Sequence, residues 1–213
     1  MIDYKLVITR YKENIDWVTD YDNYTIFNKG NSTELSEQLL QHTHNLQNVG
    51  KDVEVILRYI INNYNSLPPK IAFCQGSHGE HYPLPLHDFM QQLLTLNNGY
   101  STLDYRYHRV FEFDRNHGTF NKSHWPDQNH PLGNYHPNYN LAAWWKQLSG
   151  EDYVQKDIVF WGCIFCVERE LIHRRPLAFY QKMHSYFTNH VNPVETHFAE
   201  RTWANIFFVG KTC

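Results

Sequence analysis

Residues 53–81 constrain this chain more than any other stretch. Val53, Leu57, Ile60, Ile61 and Tyr64 fall at i, i+4, i+7, i+8 and i+11, which lays one apolar stripe along a helix. Pro68 and Pro69 end that helix, and the run Ile71-Ala72-Phe73-Cys74-Gln75 follows as a buried strand. The strand stops at Gly76-Ser77-His78-Gly79-Glu80-His81, a small-residue turn loaded with polar groups. Two β-branched runs, Lys5 to Thr9 and Tyr24 to Phe27, come before the helix. Strand, strand, helix and strand in that order point to an α/β fold, with a mostly parallel central sheet flanked by helices. In such a sheet ligands bind at the carboxyl edge, where this turn would lie.

At 213 residues, 42% of them hydrophobic and 19% charged, the chain is globular and is expected to form a single domain. A net charge of −3 supplies no basic excess, so nucleic acid is not an expected partner. No apolar run is long enough for a membrane span, and the N-terminal residues lack the pattern of a signal peptide. Cys163 and Cys166 form a CxxC, but no second such pair completes a zinc site. With Cys74 and Cys213 they are expected to be reduced thiols, and the chain is expected to be soluble and cytoplasmic.

Further elements are weaker. Residues 34–47 read as a surface helix, 86–97 as an amphipathic helix and His108 to Phe113 as a strand. The stretch from Asn116 to Asn140 is rich in His, Asn and Pro without periodicity, as expected of a lid or acceptor-binding loop. Leu141 to Leu148 is an expected helix, and Asp157 to Glu168 an expected strand pair or bent strand around Gly162. Pro176 to Val191 reads as helical. Asn192, Pro193 and Glu195 form a capping-box pattern for a last helix.

Several clusters could carry chemistry. His78, Glu80 and His81 are metal-capable, and Gln75 and Ser77 can meet a phosphate or a metal-bound water. Asn48-x-Gly50 opens a helix whose N-terminus suits an anion, and Arg10, Tyr11 and Lys12 offer cations and a ring after the first strand. Glu195 is accounted for by capping. Glu200 instead shares an apolar face with Trp203, Ala204 and Phe207, with His197 one turn earlier, and a carboxylate there must be paired or working. Arg201 and Arg58 are its candidate structural partners.

The loop VITRYKEN after the first strand, the N-x-G at a helix start and the turn after residues 71–75 resemble the nucleotide-sugar half of a GT-A-fold glycosyltransferase, a Rossmann-related architecture. Phe160-Trp161-Gly162-Cys163, Glu168-Arg169-Glu170 and the helix carrying Glu195, His197 and Glu200-Arg201-Thr202-Trp203 are similar to its acceptor half. The likeness is to viral members of the family, such as a chlorella-virus domain that decorates the major capsid protein. It spans the chain as one domain, with residues 1–115 as the nucleotide-sugar half and 116–213 as the acceptor half.

The resemblance implies a UDP-sugar donor, a divalent cation (Mn²⁺ before Mg²⁺) and an oligosaccharide or glycoprotein acceptor, with the chain one domain of a longer polypeptide or a viral protein. Carried over by position, Thr9, Arg10 and Tyr11 would hold the uridine. Asn48, Lys51 and Arg58 would lie near the nucleotide, and Gln75, Gly76 and Ser77 at the diphosphate. His78, Glu80 and His81 would stand in for the family's Asp-x-Asp, with Asp104 and Asp114 as reserve acids. Glu200 would be the catalytic base or acceptor-orienting acid, His197 a catalytic-site contact in the second metal shell or to the phosphate, and Trp125, Trp161 and Trp203 platforms for a sugar ring. Gln75-Gly76-Ser77 occupies the register of the usual acids, which is the main departure from the pattern. Two other classes fit the same residues: a non-catalytic glycan-binding module, and a metal-dependent hydrolase or nuclease built on the histidines.

Overall fold

The structure, a computed structural model, describes residues 4–77, 84–102, 139–154 and 161–208. The side chains of Thr102 and Trp161 lie outside that description. The expected strand at 108–113 and almost all of the expected loop at 116–140 fall outside it too.

Six described strands form one mixed sheet: β1 (Tyr4–Arg10), β2 (Tyr24–Asn28), β3 (Thr43–Asn45), β4 (Lys70–Gln75), β5 (Tyr100–Thr102) and β6 (Phe165–Glu168), in the order β3-β2-β1-β4-β6-β5. β3, β2, β1 and β4 run parallel, whereas β6 is antiparallel to both β4 and β5. The α/β class stands. The reversal of β6 has a local cause. A 3-10 turn at Trp161–Cys163 lies against the carboxyl end of β4, so the chain entering β6 there can only run back along it, pairing Phe73 with Phe165 and Lys70 with Glu168.

The helices are α1 (Glu37–Leu40), α2 (Lys51–Asn63), α3 (Leu86–Leu94), α4 (Leu141–Ser149), α5 (Arg169–Ile172), α6 (Leu177–His184) and α7 (Glu195–Phe207). Strand alternation divides the buried side chains between two faces. Val7, Phe27, Ile71, Phe73, Phe165 and Val167 pack against α2, α4, α6 and α7, while Leu6, Ile8, Ile26, Ala72, Cys74 and Cys166 pack against α1, α3 and the residues around Val18. Cys74, Cys163 and Cys166 are buried free thiols.

Four local expectations change. Residues 34–47 hold a single helical turn capped by Ser36, followed by edge strand β3, rather than one helix. Residues 157–160 lie outside the described residues, and from Trp161 the chain passes through the 3-10 turn into β6, a strand of four residues. The helix expected over 176–191 stops at His184 and tightens into a 3-10 turn, Ser185–Phe187. The capping box at the last helix does not form. The helix begins at Glu195 without a side-chain cap, and Glu195 turns inward to accept a hydrogen bond from the Tyr139 hydroxyl at 3.1 Å.

The entry to α2 is the most constrained backbone in the sheet's crossover. Gly50 and Lys51 are both left-handed, with φ of 62° and 46°. Gly50 donates its N–H to the His190 carbonyl at 2.8 Å, and a Cβ on it would sit 2.4 Å from the Phe187 carbonyl oxygen. The buried Lys29 ammonium donates to the carbonyls of Val49 and Lys51 and pairs with the buried Glu54 carboxylate at 3.2 Å. Burial alone would push Glu54 up, but the hydrogen bond from His184 and the charges of Lys29 and Arg58 hold it down at about 2. The substitution Gly50→Ala adds both the left-handed strain and the clash. It is expected to lower stability by about 2–3 kcal/mol in urea unfolding monitored by tryptophan fluorescence.

Candidate functional site

The sheet order places a topological switch point between β1 and β4: β1 leads to β2 on one side, and the crossover through β3 and α2 returns to β4 on the other. Register aligns the carboxyl ends there, with Thr9 opposite Gln75 and Arg10 opposite Asn28. The first residue past β4, Gly76, donates its N–H to the Thr9 carbonyl at 2.9 Å. A Cβ on Gly76 would come within 3.0 Å of Glu13 and Ile15, so the loop after β1 lies close over it.

Gln75 is the hub of this edge. Its side-chain Nε2 donates to Asp52 Oδ2 at 2.8 Å and to the Gly162 carbonyl at 2.6 Å. Asp52 sits in the first turn of α2, beside the exposed Lys51. Gly162 and Cys163, both left-handed with φ of 60° and 56°, form the turn into β6. On the far side of that turn the Gly162 N–H faces the carboxylate of Glu200 on α7 and favours its charged form. Glu200 Oε2 also lies 3.6 Å from Arg201 Nη1 and 4.0 Å from His197 Nδ1. Four segments distant in sequence therefore meet at one edge.

Electrostatics distinguishes the two carboxylates. Burial pushes the Glu200 carboxyl up; Arg201, Lys51 and the Gly162 N–H oppose that and the Asp52 charge adds to it, leaving the group at about 7. Burial, Arg201 and Lys51 push His197 down to about 3, so its ring is neutral at physiological pH. The buried Cys163 thiol is pushed well above its ordinary value, first by burial and then by Glu200 and Asp52. A carboxyl group near neutrality, 23% exposed, beside a neutral imidazole can exchange a proton with a ligand.

Of the expected site residues, Lys51, Gln75, His197 and Glu200 come together here, with Thr9 and Gly76 alongside. Ser77, half-buried, follows in the same turn. Others are placed elsewhere. Arg10 is 2% exposed, and its guanidinium is spent on Asn28, the Glu13 and Asn31 carbonyls and Glu34, binding the loops after β1 and β2 together rather than facing a nucleotide. Tyr11 is exposed, with the Lys12 ammonium over its ring. Asn48 lies two residues before the Gly50 cap and makes no capping bond. Arg58 is tied to Glu54 at 2.6 Å, roughly 10 Å along the helix from Lys51. The partner of Glu200 is Arg201. Trp203 is fully buried, stacked on Phe207 and packed on Phe165, so no face of its ring is open to a sugar. His78, Glu80, His81, Asp104, Asp114 and Trp125 lie outside the described residues, as does the side chain of Trp161. Among the described residues, no group of three or more His, Cys, Asp or Glu side chains could hold a metal ion, and no helix is long and apolar enough to cross a membrane.

Asp52 and the Gly162 turn were not legible as site residues. An acid in the first turn of a helix is the ordinary complement of the helix dipole, and Gly162 reads only as a bend.

The family model described as "Protein of unknown function (DUF3431)" matches residues 6–213, nearly the whole chain, and the chain belongs to that family. No curated protein and no solved structure matches it.

A raised carboxyl group has a thermodynamic signature. Because Glu200 is raised from 4.5 to about 7 in the fold, ionising it costs stability; the cost is absent below pH 4.5, grows between 4.5 and 7, and is constant above. Glu200→Gln removes it. Relative to wild type, that variant is expected to be about 2–3 kcal/mol more stable at pH 8 than at pH 4.5, measured by urea unfolding at both pH values. A difference that does not change with pH would show that Glu200 titrates normally.

Proposed function

For this member of the DUF3431 family, we propose transfer of a sugar from a UDP-sugar to a saccharide acceptor, assisted by a divalent cation, with Glu200 as the base. The observation that carries the reading is the meeting of Thr9, Lys51, Gln75 and Glu200 at the switch point between β1 and β4. The order β3-β2-β1-β4 is that of half a doubly wound nucleotide-binding sheet, in which phosphates bind at this edge. The GT-A reading of the fold belongs with this proposal, as does the acceptor class, a glycan of a glycoprotein.

Each residue has a separate part in the transfer. The Lys51 ammonium, at the left-handed start of α2, attracts the donor's diphosphate. A bound cation would neutralise charge on the departing UDP, and His78, Glu80 and His81 remain its expected ligands. The acceptor hydroxyl gives its proton to the Glu200 carboxylate while its oxygen bonds to the anomeric carbon. The bond from that carbon to the diphosphate oxygen breaks, and UDP leaves with the electron pair. A group at about 7 suits this task, because at neutral pH it is substantially ionised and still basic enough to hold a proton. His197, neutral and adjacent, can hydrogen-bond the acceptor without adding charge.

Calorimetric titration with UDP and UDP-sugars, with and without Mn²⁺, tests the reading. Binding of UDP in the micromolar to millimolar range, strengthened by Mn²⁺, is expected. Glu200→Gln should retain that binding and lose at least about a hundredfold in transfer. Saccharide binding with no response to UDP would instead identify a glycan-binding module, and loss of UDP binding together with transfer would make Glu200 structural.

A further inference from the structure

The last residue of β4, Gln75, ends the strand in an amide, and the structure supplies a physical reason for it. Gln75 Nε2 uses both hydrogens at once, one to Asp52 Oδ2 and one to the Gly162 carbonyl. An ionised carboxylate at this position could donate neither, and it would face both the Asp52 carboxylate and a carbonyl oxygen. Asp52, an acceptor when ionised, also fixes which way the amide points.

Gly162 then passes the arrangement on. Its carbonyl is held by Gln75 and its N–H faces the Glu200 carboxylate, so one residue lies between β4 and α7. The turn is costly by itself, since Cys163 is a non-glycine residue at φ 56°. Anchors on both sides hold it in place. We propose that Asp52 and Gln75 are positioning residues that aim Glu200 for proton transfer, acting through the Gly162 turn.

Among the described residues, the groups facing Glu200 are Lys51 and Asp52 from α2, Cys163 and the Gly162 N–H from the turn, and His197 and Arg201 from its own helix, with Tyr153 beyond Arg201. Gln75 adds no charge. Asp52 is thus the one carboxylate among them. It acts on Glu200 in two ways, by its charge through space and by its bond to Gln75. Two substitutions separate these. Asp52→Asn removes the charge and keeps an oxygen that can accept from Gln75. Gln75→Leu keeps the Asp52 charge and breaks both bonds to the turn.

The inference rests on the transfer reading, and its first test does not need it. The titration of Glu200 is followed by carboxyl ¹³C NMR on the full chain without nucleotide, and Glu200→Gln identifies the signal. Wild type should titrate near neutrality. Asp52→Asn should move the midpoint down by about half a pH unit or more, and Gln75→Leu should broaden or shift it while circular dichroism and the unfolding midpoint show an intact fold. The second test is the pH profile of kcat/KM for UDP-sugar turnover, whose acidic limb should move with the NMR midpoint in Asp52→Asn. A Glu200 signal that neither shifts nor broadens in Gln75→Leu overturns the inference, as does an acidic limb that stays put while the midpoint moves. If Gln75→Leu fails to fold, Gln75→Met, close to Gln in size and unable to make either bond, takes its place. A midpoint that moves in a chain that turns over no UDP-sugar would sink the transfer reading and leave the coupling of Asp52 to Glu200 supported.

Discussion

The buried pair between Lys29 and Glu54 is the constraint on which the rest of the site depends. Lys29 closes β2 and Glu54 lies in the first turn of α2, so their contact ties the end of a strand to the start of the crossover helix. The same ammonium holds the carbonyls on either side of Gly50, which stabilises a left-handed entry that chain sterics disfavour at Lys51. A buried pair of this kind gives little net stability over an apolar alternative, but breaking it strands a charge in the interior. Its value here is positional. It fixes where α2 begins, and therefore where Lys51 and Asp52 stand relative to the end of β4.

Arg10 performs the corresponding task at the end of β1. Its guanidinium gathers the loops after β1 and β2 through Asn28, Asn31, Glu34 and the Glu13 carbonyl, and Gly30 lets the second loop press against the Tyr11 backbone, where a Cβ would lie 1.6 Å from the carbonyl oxygen. Two cations, Lys29 and Arg10, the second of which the resemblance would place at the uridine, are thus consumed in building the carboxyl edge. Among the described residues at this edge, Lys51 is exposed, and Arg201 is engaged with Glu200 and the His197 carbonyl. That separation between structural and available charge is invisible in composition.

How much could be read from residues alone depends on the same kind of constraint. The stripe from Val53 to Tyr64 and the runs ending at Thr9, Phe27 and Gln75 encode their elements because burial imposes a period, and all four formed. β3 was missed because Thr43, His44 and Asn45 form an edge strand without a buried face, so no period betrays it. The direction of β6 was missed because alternation is the same in both directions; only the anchored turn before it decides. Glu200 could be singled out, since its spacing from Trp203, Ala204 and Phe207 put a carboxylate on an apolar stripe. The same spacing put Trp203 on that apolar stripe, where the core encloses its ring; the sugar-platform role came from the resemblance alone. Glu195 matched a cap pattern that does not form, because the buried Asn192 N–H donates to His190 Nδ1 and the Tyr139 hydroxyl donates to Glu195 in the interior.

The site's charge balance carries the argument one step further. Asp52 and Glu200 face Lys51 and Arg201, so with both carboxylates ionised the cluster is neutral overall. A diphosphate arriving beside Lys51 would add negative charge to a site already holding two carboxylates, and the least costly response would be protonation of the one that burial already raises. Glu200 meets that description, because Asp52 remains in the first turn of α2 where the helix dipole favours its charge. Under the proposed transfer, donor binding would then favour the protonated form of the residue proposed as the base. A cation bound with the diphosphate would offset the added charge, and Glu200 would then keep its basic form. In that reading a cation would affect the proposed base as well as the leaving group without touching Glu200.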